Sequence, residues 1–155
     1  MGHEILELIN NKETVKILVT IDADGLSHPV VKHSLHSDGE HIIYTEFLES
    51  SNTNRNMTRS LWFDTPVSLL LLGADNQSYK IKAQPVRALV SGKKFQKYYE
   101  QVQKEFFSAD LSTVWFLKPL EITNQSFAVR SEEESINRPY FLHLDRLAKK
   151  EEGVL

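Results

Sequence analysis

The chain has 155 residues, a formal charge of −3, 41% hydrophobic and 25% charged residues, and no cysteine. That length suits one domain with a working core, and the balance excludes wholesale disorder and fibrous repeats. The missing thiols exclude disulfides, thiolate catalysis and thiolate metal sites, and a net negative chain has no global field for a phosphate backbone, so nucleic-acid binding is not expected.

The start, MGHEILELINNKE, lacks the basic and apolar regions of a signal peptide. The longest apolar run, VSLLLLGA, falls far short of the roughly 18 residues a membrane helix needs. A cytoplasmic protein without a membrane span is therefore expected. Ile5, Leu8 and Ile9 follow i, i+3, i+4 spacing, which predicts a short helix ending near Asn11. TVKILVTI, from Thr14 to Ile21, is β-branched and aliphatic, and Asp22–Gly25 supplies a turn. A returning strand is expected over Ser27 to His36, a second turn at Ser37-Asp-Gly39, and a third strand over His41 to Phe47.

A polar stretch then leads into NRNMTRSLWF, read as a helix that Asn54 caps and along which Met57 and Leu61 share a face. Pro66 to Ala74 reads as a strand buried on both faces, and YKIKAQPVRALV as a long strand that is an edge or is bulged at Pro85, because proline has no N–H for the ladder. After Gly92, Phe95, Tyr98, Tyr99, Val102 and Phe106 keep helical spacing. STVWFLKPLEIT and SFAVRS read as closing strands, and the tail from about 132 as peripheral, ending in a short helix. About seven sequential strands and three flanking helices predict a mainly β, antiparallel barrel in a single domain spanning 1–155.

Three stretches carry a resemblance: KILVTIDADGLSHPVVKHSL, HIIYTEF followed by TNRNMTRSLWFDTPVSLLL, and SYKIKAQPVRALVSGKKF. Together they are similar to the pyridoxamine 5′-phosphate oxidase-like FMN-binding split barrels, over roughly Lys16 to Phe95. The resemblance implies a homodimer with FMN at the interface. It implies that the backbone of Pro29, Val30, Val31 and Lys32 faces the flavin ring, and that Tyr44 and Thr45 lie near the ribityl-phosphate end. It further implies that Ser51, Thr53, Asn54, Arg55 and Asn56 grip the phosphate. Helix-start amides and a planar arginine suit a dianion independently of the family, and Arg59 lies one turn on. The oxidase proper carries an arginine and a lysine on the second strand and an Arg-Lys pair in the phosphate loop. Here the strand offers only Lys32, the loop offers only Arg55, and Ala83 stands where the long strand often has glycine. Pyridoxamine phosphate oxidation is thus not expected. An FMN-dependent oxidoreductase of unknown substrate leads, with a non-catalytic flavin or haem carrier and a cofactor-free interaction module as alternatives.

His28, His33, His36 and His41 cluster in sequence but alternate between strand faces, so they read as solvated or flavin-adjacent groups rather than metal ligands. Trp62, Phe63, Trp115 and Phe116 read as core or dimer contacts. No carboxylate pair, nucleophile elbow or Ser-His-Asp order points to hydrolysis, and no catalytic residue emerges.

Overall fold

The computed structural model describes residues 1–147. The strands are β1 (Val15–Ile21), β2 (Ser27–Val31), β3 (His36–Ser37), β4 (Ile42–Glu46), β5 (Val67–Leu72), β6 (Ser78–Leu89) and β7 (Thr113–Asn124). The helices are α1 (His3–Asn10), α2 (Asn52–Trp62), α3 (Lys93–Glu105) and α4 (Phe127–Asn137), and residues 144–147 are also helical. All seven strands form one antiparallel sheet in the order β2-β1-β5-β6-β7-β4-β3. Its two end strands, β2 and β3, are consecutive in the chain. The strap 32–35 therefore joins one end of the sheet to the other. Lys32 N donates to Lys16 O at 2.8 Å on the β1 side, and Ser34 Oγ donates to Thr45 O at 3.0 Å on the β4 side. The sheet curls into a barrel that is stitched there rather than laddered.

Period-2 alternation decides what fills it. In β1, Lys16, Leu18 and Thr20 point inward while Val15, Ile17, Val19 and Ile21 point outward. Leu18 meets Leu69, Leu71, Ile81, Tyr44 and Leu117 inside, with Met57 of α2 and Ile5, Leu8 and Ile9 of α1 covering the openings. A second cluster, Ile43, Val114 and Phe116 under Val102 of α3, covers the other face of β4 and β7. α1 is tied down at both ends. Glu4 Oε1 accepts from Tyr79 Oη at 2.8 Å and Gln77 Nε2 at 3.1 Å, while the Asn10 amide exchanges two hydrogen bonds with the Ser37 backbone. Gly73 packs closely under α1, since a Cβ there would sit 2.6 Å from Leu8 Cδ1 and would make that side chain shift.

Three expectations change, and the one at Pro85 is met. The strand expected over Ser27 to His36 stops at Val31 because the chain leaves β1 to cross to β4, and only His36–Ser37 resumes pairing. β5 is not buried on both faces: Leu69 and Leu71 are interior, but Leu70 is half-buried and Leu72 exposed. Pro85 lies in a central strand, and its missing N–H falls where the β6–β7 register shifts, at Lys82/Ala83 and Pro85/Arg87. Bulging accommodates it, in a stretch of β6 that still pairs with β7 but has passed the last β5 pair at Ala83.

SFAVRS is not a strand but the start of α4. The β6 partner is exhausted at Ser78, whose N–H goes to Ser126 Oγ at 3.0 Å, so no ladder is left to extend. The RSEEES run then continues as helix, with an Arg130–Glu133 pair at 2.8 Å. No residue of α4 is buried. The last part of the expected tail, 148–155, lies outside the described residues. Among the described residues no helix is long and apolar enough to cross a membrane.

Candidate functional site

β2 is a sheet end, paired with β1 from Ile17↔Val31 to Ile21↔Ser27 and with nothing on its other side. Since Lys32 N is bonded to Lys16 O, antiparallel alternation turns the N–H and C=O of Val31 and the C=O of Pro29 away from β1, free of any ladder. Val30 points inward against the core, whereas Pro29 and Val31 are exposed. A cavity of about 230 Å³ joins Val31 and Lys32 to Thr45, Glu46 and Phe47. Three of the sequence-predicted residues, from two elements, thus line one space.

Tyr44 turns the other way. It is fully buried, and its hydroxyl donates to Glu46 Oε2 on the same inner face of β4. Glu46 Oε1 accepts from Leu48 N at 3.0 Å, and Lys32 Nζ stands 3.6 Å from Oε2 and 5.3 Å from the Tyr44 ring centroid. Burial, then the hydrogen bond to Glu46 and its charge, raise the Tyr44 pKa far above the ordinary tyrosine value.

The α2 start differs from expectation. Ser51, not Asn54, caps the helix, its Oγ accepting from Asn54 N at 3.0 Å. The Asn54 side chain instead joins neighbours: Oδ1 accepts from Trp115 Nε1 at 2.9 Å, and Nδ2 donates to Glu49 O at 2.9 Å. Asn56 is buried and donates to Thr20 Oγ1 at 3.0 Å; Thr53 is buried too. Arg59 reaches back to Ile21 O at 3.4 Å. Arg55 alone of the group is exposed, and it forms no ion pair among the described residues. The turn thus offers Arg55, the Ser51 hydroxyl and the first-turn amides of Asn52 and Thr53, which have no intrahelical acceptor.

The four histidines do not converge, and no group of three or more metal-ligating side chains occurs among the described residues. Trp115 and Phe116 are core; Trp62 and Phe63 are 78% and 73% exposed.

Two buried charges escaped the sequence reading. Lys16 is 4% exposed, and its Nζ donates to Leu35 O at 2.8 Å; burial lowers its pKa. Glu46 is 1% exposed. The signal was available in both cases: period 2 places Lys16 in phase with Leu18 and Glu46 in phase with Tyr44 and Ile42, on faces the flanking aliphatics mark as interior.

No protein-family model matches the chain, and no curated protein matches it in sequence. Solved structures do. HupZ of Group A Streptococcus superposes with a TM-score of 0.68 at 18% identity, covering 82% of this chain and 95% of that one. An FMN-binding protein from Syntrophomonas wolfei subsp. wolfei gives 0.65 at 18% identity, over 79% and 84%. The chain has the split-barrel fold. A Lactobacillus delbrueckii split barrel, provisionally classed as a pyridoxamine 5′-phosphate oxidase, gives 0.56 at 21% identity over 79% and 93%. The split barrel expected from the three sequence stretches is thus the fold observed, and its curled antiparallel sheet is the one the resemblance implies.

Proposed function

We propose that this split barrel binds FMN as a homodimer and works as a flavin-dependent oxidoreductase. The observation that carries the reading is the edge position of β2, which leaves the backbone N–H and C=O of Val31 and the C=O of Pro29 unpaired beside a cavity that Val31 shares with Thr45. The donor chemistry fits the group. A flavin edge needs backbone donors and acceptors, and its phosphate needs N–H groups and a cation. Arg55, the Ser51 hydroxyl and the amides of Asn52 and Thr53 supply these at one helix start. Asn54 and Asn56 are committed to Trp115 and Thr20, so they hold the helix in place rather than the phosphate. FMN supplies hydride or electron transfer when bound; the chain orients it and sets its electrostatics.

The second copy is supported by an apolar outer face. Directly paired residues share a side, so Val31, Ile17 and Leu70 form one row, Pro29, Val19 and Ser68 a second, and Val15 and Leu72 a third, with Ser68 the polar member. Val31 is 52% and Leu72 36% exposed. Such a contiguous surface is unusual on a monomer, and it adjoins the strand proposed to face the flavin.

The test is the absorption spectrum of the purified chain, before and after adding FMN. The two visible flavin bands, retained through gel filtration, are the expected result; a colourless chain that does not retain FMN refutes the reading. Arg55→Ala is expected to weaken FMN by about 1.5–3 kcal/mol, the range for hydrogen bonds to charged groups. Unchanged affinity places the phosphate elsewhere.

A further inference from the structure

Behind the strap lies a second cavity, of about 470 Å³, between the end of α1, the start of β1, the strap and the C-terminal half of α3. Lys16 lines it. Four of the polar side chains around it are committed. Asn10 is clipped to the Ser37 backbone, Ser34 Oγ goes to Thr45 O, Ser37 Oγ goes to His41 O, and His36 Nδ1 faces Ser34 O at 3.0 Å. Lys16 is the buried cation of the lining, whereas Lys12 and His33 are exposed. Of the three N–H groups on Lys16 Nζ one reaches Leu35 O, and the residue forms no ion pair among the described residues. The nearby buried carboxylate, Glu46, is taken by Tyr44 and Lys32.

An ammonium withdrawn from water without a counter-charge costs several kcal/mol, and the usual resolution is a partner anion. The lowered pKa of Lys16 reflects that same unrelieved desolvation. Nothing in the barrel demands a cation here: Lys16 stands opposite Leu71 in an inward row otherwise filled by aliphatic and threonine side chains. The walls are mixed. Leu35, Val102 and Phe106 present apolar surface, while exposed Lys12, Gln101 and Glu105 stand at the opening.

We propose that this cavity is a binding pocket for a small organic carboxylate, whose anionic head pairs with Lys16 and whose apolar body rests on Leu35, Val102 and Phe106. One monovalent head matches the one buried cation of the lining, whereas a phosphate dianion calls for a second cation that is not buried beside it. The pocket stands apart from the Arg55 turn and does not depend on flavin. It shares His33, Ser34, Thr45 and Phe106 with the smaller cavity, so a carboxylate held here lies next to the space under Lys32.

The experiment uses the flavin-free full chain, labelled with nitrogen-15 and titrated with benzoate, benzyl alcohol and inorganic phosphate. Benzoate is expected to shift the amides of Lys16, Leu35, Ser37 and Gln101 saturably, and benzyl alcohol to bind more weakly. Lys16→Met is expected to weaken benzoate by about tenfold or more. Gln101→Glu, an exposed helix position that leaves the core untouched, puts a negative charge at the opening and is expected to weaken benzoate even if Lys16→Met does not fold. Absence of those shifts at saturating benzoate, unchanged benzoate affinity in both variants, or preference for phosphate overturns the proposal.

Discussion

Removing the Glu46 carboxylate tests whether the strap is anchored by a buried charge. In Glu46→Ala the Tyr44 hydroxyl loses its charged acceptor, and the Leu48 amide loses an acceptor at 3.0 Å. The first is worth about 2 kcal/mol and the second about 1 kcal/mol, and the deleted side-chain atoms add about 1 kcal/mol of lost packing. Lys32 adds little, because its side chain is 21% exposed and its ammonium can turn to water. The expected loss is about 3–4 kcal/mol. With a urea slope of about 2 kcal/mol/M, the midpoint falls by about 1.5–2 M. Tyr44→Phe removes only the hydroxyl and is expected to cost about 1–2 kcal/mol, and the double variant costs less than the sum because the two share one bond. The same pair has a pH signature. Tyr44 has a raised pKa in the folded chain, so its contribution is complete below the ordinary tyrosine value of about 10 and declines as pH rises above it, where the unfolded chain loses the proton first. Tyr79, raised by its bond to Glu4, declines in the same sense, so the readout is the difference between wild type and Tyr44→Phe, which loses stability less steeply above pH about 10. A Glu46→Ala loss under about 1 kcal/mol, or identical alkaline slopes, refutes the network.

Leu70→Glu charges the middle of the outer sheet face without touching the core, and is expected to shift the chain from dimer to monomer in light scattering after gel filtration; a dimer unmoved by it places the interface elsewhere. Asn56→Ala orphans Thr20 inside the barrel and is expected to cost about 1–3 kcal/mol by thermal unfolding, while Arg55→Ala, one residue away but exposed, leaves stability within about 0.5 kcal/mol. Gly73→Ala forces Leu8 aside and is expected to cost about 1–3 kcal/mol; an unchanged melting curve would show that α1 gives way freely.

Local pattern carried much of this fold because local pattern caused it. β1, the Asp22–Gly25 turn and α3 each combine a strong period with the punctuation that ends it. What sequence could not show is where a tertiary partner runs out. β2 remains strand-like in composition to His36, yet pairing stops at Val31 because the barrel must be crossed there. Phe127 and Val129 alternate like a strand, yet no neighbour remains beyond Ser78.

The site divides along the same line. Pro29–Lys32 and Arg55 entered as candidates through the family resemblance, and the structure puts the former at a sheet edge and the latter exposed at a helix start. The roles of Asn54 and Asn56 depend on Trp115 and Thr20, distant in sequence, and a polar residue at a helix start reads equally well as a cap, a ligand or a brace. Lys16 and Glu46 show the opposite failure. A charge among aliphatics in phase with the core is a conspicuous signal, since burying it opposes the hydrophobic pattern around it. Glu46 finds Tyr44 and Lys32 inside the barrel, which accounts for its place. Lys16 finds one carbonyl, and the cavity it lines supplies room for the anion the barrel itself does not provide.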